Sequence, residues 1–126
     1  MPIHILVLDD EKIVGERLKA SLEKEGHTLE IFINPSAALN KIREKVFDVV
    51  ITDIRMDGVD GIQILEEVRK KSLKTKVIMI TGYATLEVAR ESLTKGAFDF
   101  IAKPFKLKEI REAILKAEDA LQAEEN

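Results

Sequence analysis

Acidic side chains follow two short apolar runs of this sequence, where they could bind a metal ion and take part in phosphoryl chemistry. Asp9 and Asp10 come directly after the run Ile3–Leu8, and Asp53 comes after a β-branched run that ends at Thr52. Carboxylates a few ångströms apart repel one another, and a bound cation relieves that repulsion. Oxygen ligands with bound water suit Mg²⁺ (or Mn²⁺) better than a fully caged Ca²⁺. The three acids therefore predict a site for a divalent cation.

Two further residues have the chemistry to complete a phosphoryl site. A carboxylate can attack a phosphoryl group and form an aspartyl-phosphate, and we predict this nucleophilic role for Asp53. Lys103, which follows another apolar run, would neutralise the phosphoryl oxygens together with the metal ion. Thr81 ends a further run, and its hydroxyl would donate a hydrogen bond to the phosphoryl group.

The elements that must position these residues alternate between strand and helix along the whole chain. The predicted strands are Ile3–Leu8, Thr28–Ile33, Asp48–Thr52, Val77–Thr81 and Ala97–Ala102. Amphipathic helices are predicted after each strand, the last of them from Leu107 to about Ala123. This alternation predicts a parallel five-stranded sheet with helices on both faces, a three-layer α/β sandwich. The carboxyl ends of its strands share one edge, so the reactive residues should meet there.

Each residue also has a simpler explanation when it is taken alone. Asp9 or Asp10 could cap the first helix, Lys103 could be a surface lysine, and Thr81 could be an ordinary strand residue. Their joint placement at the strand ends favours a site over these explanations. Other acid-based motifs fit less well, because both an EF-hand loop starting at Asp53 and a haloacid-dehalogenase-type phosphatase need an acid or amide where the chain has Arg55.

The composition excludes several classes of function. The chain has 126 residues, enough for one domain, and contains no cysteine, which excludes disulfides, thiolate zinc sites and cysteine nucleophiles. Its formal net charge of −3 argues against direct nucleic-acid binding. No apolar run has the length of a membrane span. We therefore expect no nucleic-acid or membrane partner, and a cytoplasmic location.

With these residues in place, the sequence resembles the receiver domains of two-component response regulators, including those of NtrC-type transcription regulators. The motifs that carry the resemblance are Asp9-Asp10, Asp53, Thr81-Gly82 and Lys103-Pro104. The resemblance implies a (βα)5 doubly wound, flavodoxin-like sheet with strand order 2-1-3-4-5. It also implies a receiver domain over residues 1–120, followed by a helical tail or linker at residues 121–126.

The resemblance assigns roles to individual residues. Asp53 would accept a phosphoryl group from a sensor histidine kinase or a phosphotransfer protein, and the chain would be a signalling phosphoacceptor rather than an enzyme. Mg²⁺ would be held by Asp9, Asp10, Asp53 and the backbone carbonyl of Arg55. Thr81 and Phe100 would form a switch that alters the surface of the fourth helix, fifth strand and fifth helix. A cis Lys103–Pro104 peptide bond is also expected.

One position departs from the family pattern. Asp57 stands where the family usually has proline, which adds an acid near the metal site and frees a backbone angle. Together with Arg55 and Tyr83, Asp57 is predicted to tune phosphorylation and dephosphorylation. The alternative function that follows from Asp57 is a pseudo-receiver, a constitutive protein-interaction module with altered phosphorylation.

The last helix suggests a partner. Its apolar residues recur at alternating spacings of three and four, which predicts a stripe that docks on the sheet and could continue as a coiled-coil seam. Docking accounts for Leu107, Ile110 and Ile114, but less well for Leu121. We therefore predict a homodimer through this helix, or through the fourth helix, fifth strand and fifth helix, and an output domain or partner protein that receives the signal.

Overall fold

Strands and helices alternate throughout the structure, a computed structural model that describes residues 2–55, 60–82 and 85–125. The ten elements are β1 (His4–Leu8), α1 (Lys12–Glu23), β2 (Thr28–Phe32), α2 (Pro35–Glu44), β3 (Val49–Asp53), α3 (Gly61–Lys71), β4 (Lys76–Thr81), α4 (Leu86–Thr94), β5 (Asp99–Ala102) and α5 (Leu107–Glu125). No helix among the described residues is both long and apolar enough to cross a membrane.

The strands form one parallel sheet in the order β2-β1-β3-β4-β5, which confirms the predicted fold. Helices cover both faces, so the central strands are apolar on both sides instead of alternating. One core cluster joins the sheet to α1 and α5, and the other joins it to α2 and α3. Strand order reverses beside β1, which places the carboxyl ends of β1 and β3 at the binding edge of the fold.

Helix starts follow local capping chemistry in α2, α3 and α4. Asn34 accepts hydrogen bonds from the backbone of the first turn of α2, and Asp60 and Thr85 cap α3 and α4 in the same way. Helix α1 differs, because its N-cap residue Glu11 makes no capping hydrogen bond with its side chain. Glycine follows α1 at Gly26, where a φ of 93° favours a residue without a side chain.

Several strand limits differ from the predicted ones. Strand β3 runs from Val49 to Asp53 because Asp53 still pairs with Ile80 of β4. Strand β5 begins at Asp99, where its pairing with Ile78 starts. Asp53, the candidate phosphoacceptor, is therefore the last residue of β3, and its backbone is paired with β4.

Helix α5 is docked along its full length, which corrects the interpretation of Leu121. Leu121 is 8% exposed and belongs to the core cluster that contains α1 and α5. Two side-chain contacts hold the same end of the helix, a 3.2 Å contact between Nε2 of His27 and Oε1 of Glu118 and an ion pair between Lys76 and Glu124. The suggestion that docking accounts poorly for Leu121 is wrong, and the dimer through this helix loses that support. Helix α5 also continues without a break past the predicted domain limit at residue 120.

Candidate functional site

The ends of four neighbouring strands place the predicted residues at one edge of the sheet. Asp9 directly follows β1, Asp53 and Thr81 end β3 and β4, and Lys103 directly follows β5. Each is carried by a strand that pairs with its neighbour, so the backbone positions are set by the hydrogen-bond ladder. The Lys103–Pro104 peptide bond is cis, as expected.

The ammonium group of Lys103 lies at the centre of the site. Its Nζ is 2.8 Å from Oδ2 of Asp53, 2.8 Å from Oδ2 of Asp9 and 3.0 Å from Oε1 of Glu11. Asp9 and Asp53 are buried, with exposed fractions of 1% and 5%, whereas Glu11 is exposed. An ammonium has three donors, and here three carboxylates surround it.

The site contains more negative than positive charge, with one ammonium among several carboxylates. Burial by itself lowers the pKa of Lys103, but contacts with Asp53, Asp9 and Glu11 outweigh it and raise the pKa above its usual value. Lys103 is therefore a permanent cation at neutral pH. Burial raises the pKa of Asp9, and the contact with Lys103 offsets this only in part. One ammonium thus does not fully compensate the buried carboxylates around it.

The carboxylate of Asp53 is fixed by one contact to each oxygen. Oδ2 accepts a hydrogen bond from Lys103, and Oδ1 accepts a 3.2 Å hydrogen bond from the backbone N–H of Arg55. Behind Asp53 the chain returns closely at Gly61, where an added Cβ would lie 2.3 Å from the carbonyl oxygen of Asp53. Only glycine allows this approach, which brings the start of α3 against the end of β3.

The acids of this edge form a donor set that fits a hard divalent cation. Asp9, Asp10, Glu11 and Asp53 each offer a carboxylate oxygen, and these oxygens lie within 4.8 Å of one another. The buried Oδ2 of Asp9 lies in the ion pair with Lys103 but has no hydrogen bond within the described part of the chain. An all-oxygen set with two exposed members leaves room for water, which suits Mg²⁺ or Mn²⁺.

The strand register places Thr81 of β4 and Phe100 of β5 on the same face of the sheet. Thr81 pairs with Ala102, and Phe100 precedes Ala102 by two residues in β5. Side chains two residues apart in a strand point to the same face. Thr81 is fully buried, and Phe100 is half-buried and packs against the core cluster of α2 and α3. The two side chains thus share one face of neighbouring strands.

The predicted tuning residues are only partly described. The side chain of Arg55 is exposed beside Asp53. Asp57 and Tyr83 lie outside the described residues.

Sequence reasoning missed one member of the site, Glu11. Its carboxylate contacts Lys103, 92 positions away in the chain, and it belongs to the group of acids that could hold a metal ion. The available signal was its place as the third acid of the run Asp9-Asp10-Glu11, at a helix start where a capping residue would be usual.

The chain belongs to the family of response regulator receiver domains, the class of protein that this fold and site define. The family model of the response regulator receiver domain matches residues 5–115. The chain is thus a receiver domain of the two-component type.

Curated relatives are regulatory proteins of greater length. The chain is 39% identical over 114 residues to the regulatory protein AtoC of Escherichia coli, covering 90% of this chain and 25% of that protein. It is 39% identical over 102 residues to the transcriptional regulatory protein ZraR of Klebsiella oxytoca, covering 81% of this chain and 23% of that protein. The chain therefore spans about a quarter of the length of these relatives.

Solved structures agree with the fold. A CheY-like receiver domain protein from Methanospirillum hungatei superposes with a TM-score of 0.93 at 33% identity, covering 98% of this chain and 99% of that one. The beryllofluoride-activated NtrC4 receiver domain, solved as a dimer, superposes with a TM-score of 0.83 at 31% identity, covering 95% of this chain and 97% of that one.

Proposed function

We propose that this receiver domain is switched by transfer of a phosphoryl group to Asp53. The observation that carries the proposal is the placement of the Asp53 carboxylate, buried at a strand end, hydrogen-bonded to Lys103 and surrounded by Asp9 and the other acids of the metal-binding group. The donor would be a phosphohistidine of a sensor histidine kinase or a phosphotransfer protein, in the cytoplasm.

Each residue of the site would have a separate role in the transfer. A carboxylate oxygen of Asp53 attacks phosphorus, the bond from phosphorus to the donor breaks, and an acyl phosphate forms. The ammonium of Lys103 stays within reach of the phosphoryl oxygens and neutralises their charge. Asp9, Asp10, Asp53 and the carbonyl of Arg55 would hold Mg²⁺ or Mn²⁺. Such an ion, when bound, supplies further positive charge for the phosphoryl group.

The buried hydroxyl of Thr81 would report the phosphoryl group to the surface. It would donate a hydrogen bond to a phosphoryl oxygen, and the space it leaves would admit the ring of Phe100 from the same face of the sheet. The two-state element is then the surface formed by α4, β5 and α5. Leu86 and Leu93 of α4 are 68% and 51% exposed on that surface, seven positions apart and so on one side of the helix.

The signal would pass to an output domain or partner protein, or to a second copy of the chain through the α4-β5-α5 surface. The regulatory relatives are longer than this chain, which supports an output in transcription regulation. The chain itself would catalyse only its own phosphorylation and dephosphorylation. The pseudo-receiver alternative rests on Asp57, which lies outside the described residues, and the assembled acids and lysine give it no support.

The test is phosphorylation with acetyl phosphate and Mg²⁺, followed by intact-mass measurement. We expect a gain of one phosphoryl group in the wild type and none in Asp53→Asn. A matched control is Asp48→Asn, because Asp48 directly precedes the start of the same strand and accepts a hydrogen bond from the backbone of His4. Asp48→Asn should gain one phosphoryl group like the wild type, and a mass gain that survives in Asp53→Asn would refute the assignment.

A further inference from the structure

Glu11 makes a contact that local structure does not require. It is the N-cap residue of α1, yet its side chain makes no capping hydrogen bond, whereas Asn34, Asp60 and Thr85 cap their helices. A side chain that caps a helix start stabilises the helix. Glu11 does not stabilise α1 in this way, and its carboxylate accepts a hydrogen bond from the ammonium of Lys103 instead.

The three carboxylates around Lys103 differ in how firmly they are held. Asp9 and Asp53 are buried and carried by strand ends, and Oδ1 of each also accepts a backbone N–H. The side chain of Glu11 is 62% exposed, and the structure gives its carboxylate no contact other than Lys103 among the described residues. Of the three carboxylates, Glu11 is therefore the one that another anion can displace from Lys103 most easily.

We propose that Glu11 is a positioning residue, an exchangeable partner of Lys103 that holds its ammonium before phosphorylation and competes with the incoming phosphoryl group. The inference rests on the proposed function, because the competitor is the phosphoryl group that Asp53 receives. While Glu11 accepts a hydrogen bond from Lys103, it keeps the ammonium between Asp9 and Asp53. It also places one more negative charge where the anionic donor must enter.

The competition has a direction that can be measured. Without the charge of Glu11, an anionic phosphodonor enters a less negative site, while Asp9 and Asp53 still hold Lys103. We expect the KM for acetyl phosphate at saturating Mg²⁺ to fall about 3- to 10-fold, the effect of one like charge a few ångströms away in water.

The experiment compares Glu11→Ala and Glu11→Gln with the matched control Glu16→Ala. Glu16 lies on the same helix, is exposed, and pairs with Lys12 rather than Lys103. The first readout is the NMR signal of the Lys103 ammonium, without metal or phosphodonor. We expect it to broaden in Glu11→Ala and to persist in Glu11→Gln, whose amide oxygen still accepts a hydrogen bond, and in Glu16→Ala.

The second readout is the KM for acetyl phosphate, which should fall in both Glu11 variants and stay unchanged in Glu16→Ala. A Lys103 signal in Glu11→Ala like that of the control, or a KM that does not fall, overturns the proposal. If the wild type takes no phosphoryl group at Asp53, the proposed function fails and the competition with it. The Lys103 signal would still show separately whether Glu11 holds the ammonium.

Discussion

Nζ of Lys103 lies 2.8 Å from Oδ2 of Asp53, although the two residues are 50 positions apart in the chain. The contact joins the end of β3 to the residue after β5, with β4 between them. Lys103 therefore reaches across one intervening strand to the carboxylate. This arrangement places a fixed positive charge beside the atom that we propose as the nucleophile.

Replacement of Lys103 by methionine should reduce phosphorylation of Asp53 strongly. Methionine keeps much of the side-chain volume but removes the charge that stabilises the phosphoryl oxygens. We expect the rate with acetyl phosphate and Mg²⁺ to fall by about 10²-fold or more, the usual cost of removing such a group. Lys95→Met is the control, because Lys95 pairs with Glu66 on the surface. Equal rates in the two variants would contradict the role of Lys103.

Replacement of Thr81 by alanine should separate phosphorylation from signalling. Asp53, Lys103 and the acids remain, so the variant should still bind beryllofluoride with Mg²⁺. The hydroxyl that links the phosphoryl group to Phe100 is absent, so the NMR signals of the Phe100 ring should no longer shift on activation. Thr75→Ala removes a buried hydroxyl just before the same strand, where it donates to the carbonyl of Phe47, and should leave the shift intact. A normal Phe100 shift in Thr81→Ala would disprove the coupling.

Replacement of Leu121 by alanine should destabilise the domain. Leu121 is 8% exposed within the core cluster of α1 and α5, and large-to-small changes at such sites cost about 2–5 kcal/mol. We expect that loss in the free energy of unfolding measured with urea. Leu115→Ala on the same helix should cost much less, because Leu115 is 59% exposed. Similar losses in both variants would show that the end of α5 is not docked as described.

Glu30 should contribute stability that disappears in acid. The contact with Lys45 lowers the pKa of Glu30 below its ordinary value of 4.5, so the folded state binds the proton less tightly than the unfolded state. The contribution is therefore present above pH 4.5 and is lost as the pH falls through the lowered pKa.

Glu30→Gln should lower the free energy of unfolding at pH 7 by at most about 1 kcal/mol, as is usual for partly exposed ion pairs. The difference from the wild type should vanish at low pH in urea denaturation series. Glu16→Gln, which removes an exposed pair with Lys12, should have a smaller effect at pH 7. A difference for Glu30→Gln that persists unchanged in acid would contradict the assignment.

The sequence was enough to predict the sheet and its reactive edge, for physical reasons. Alternation of strands and helices leaves few parallel topologies, and strand ends such as Asp9 and Asp53 must then share an edge. The position of Glu11 could not be predicted, because it depends on where the side chain of Lys103 lies in the folded chain. The docking of Leu121 was missed for a similar reason, since His27 and Lys76, which hold the end of α5, are far from it in the sequence.

The wide separation in sequence of the residues around Lys103 has a consequence for the reliability of the signal. Asp9, Asp53 and Lys103 are brought together only when β1, β3 and β5 all occupy their places in the sheet. A nascent, truncated or partly unfolded chain holds only part of the set. The phosphoryl acceptance that we propose for Asp53 therefore requires the complete sheet, and a partly folded molecule would not respond to a phosphodonor.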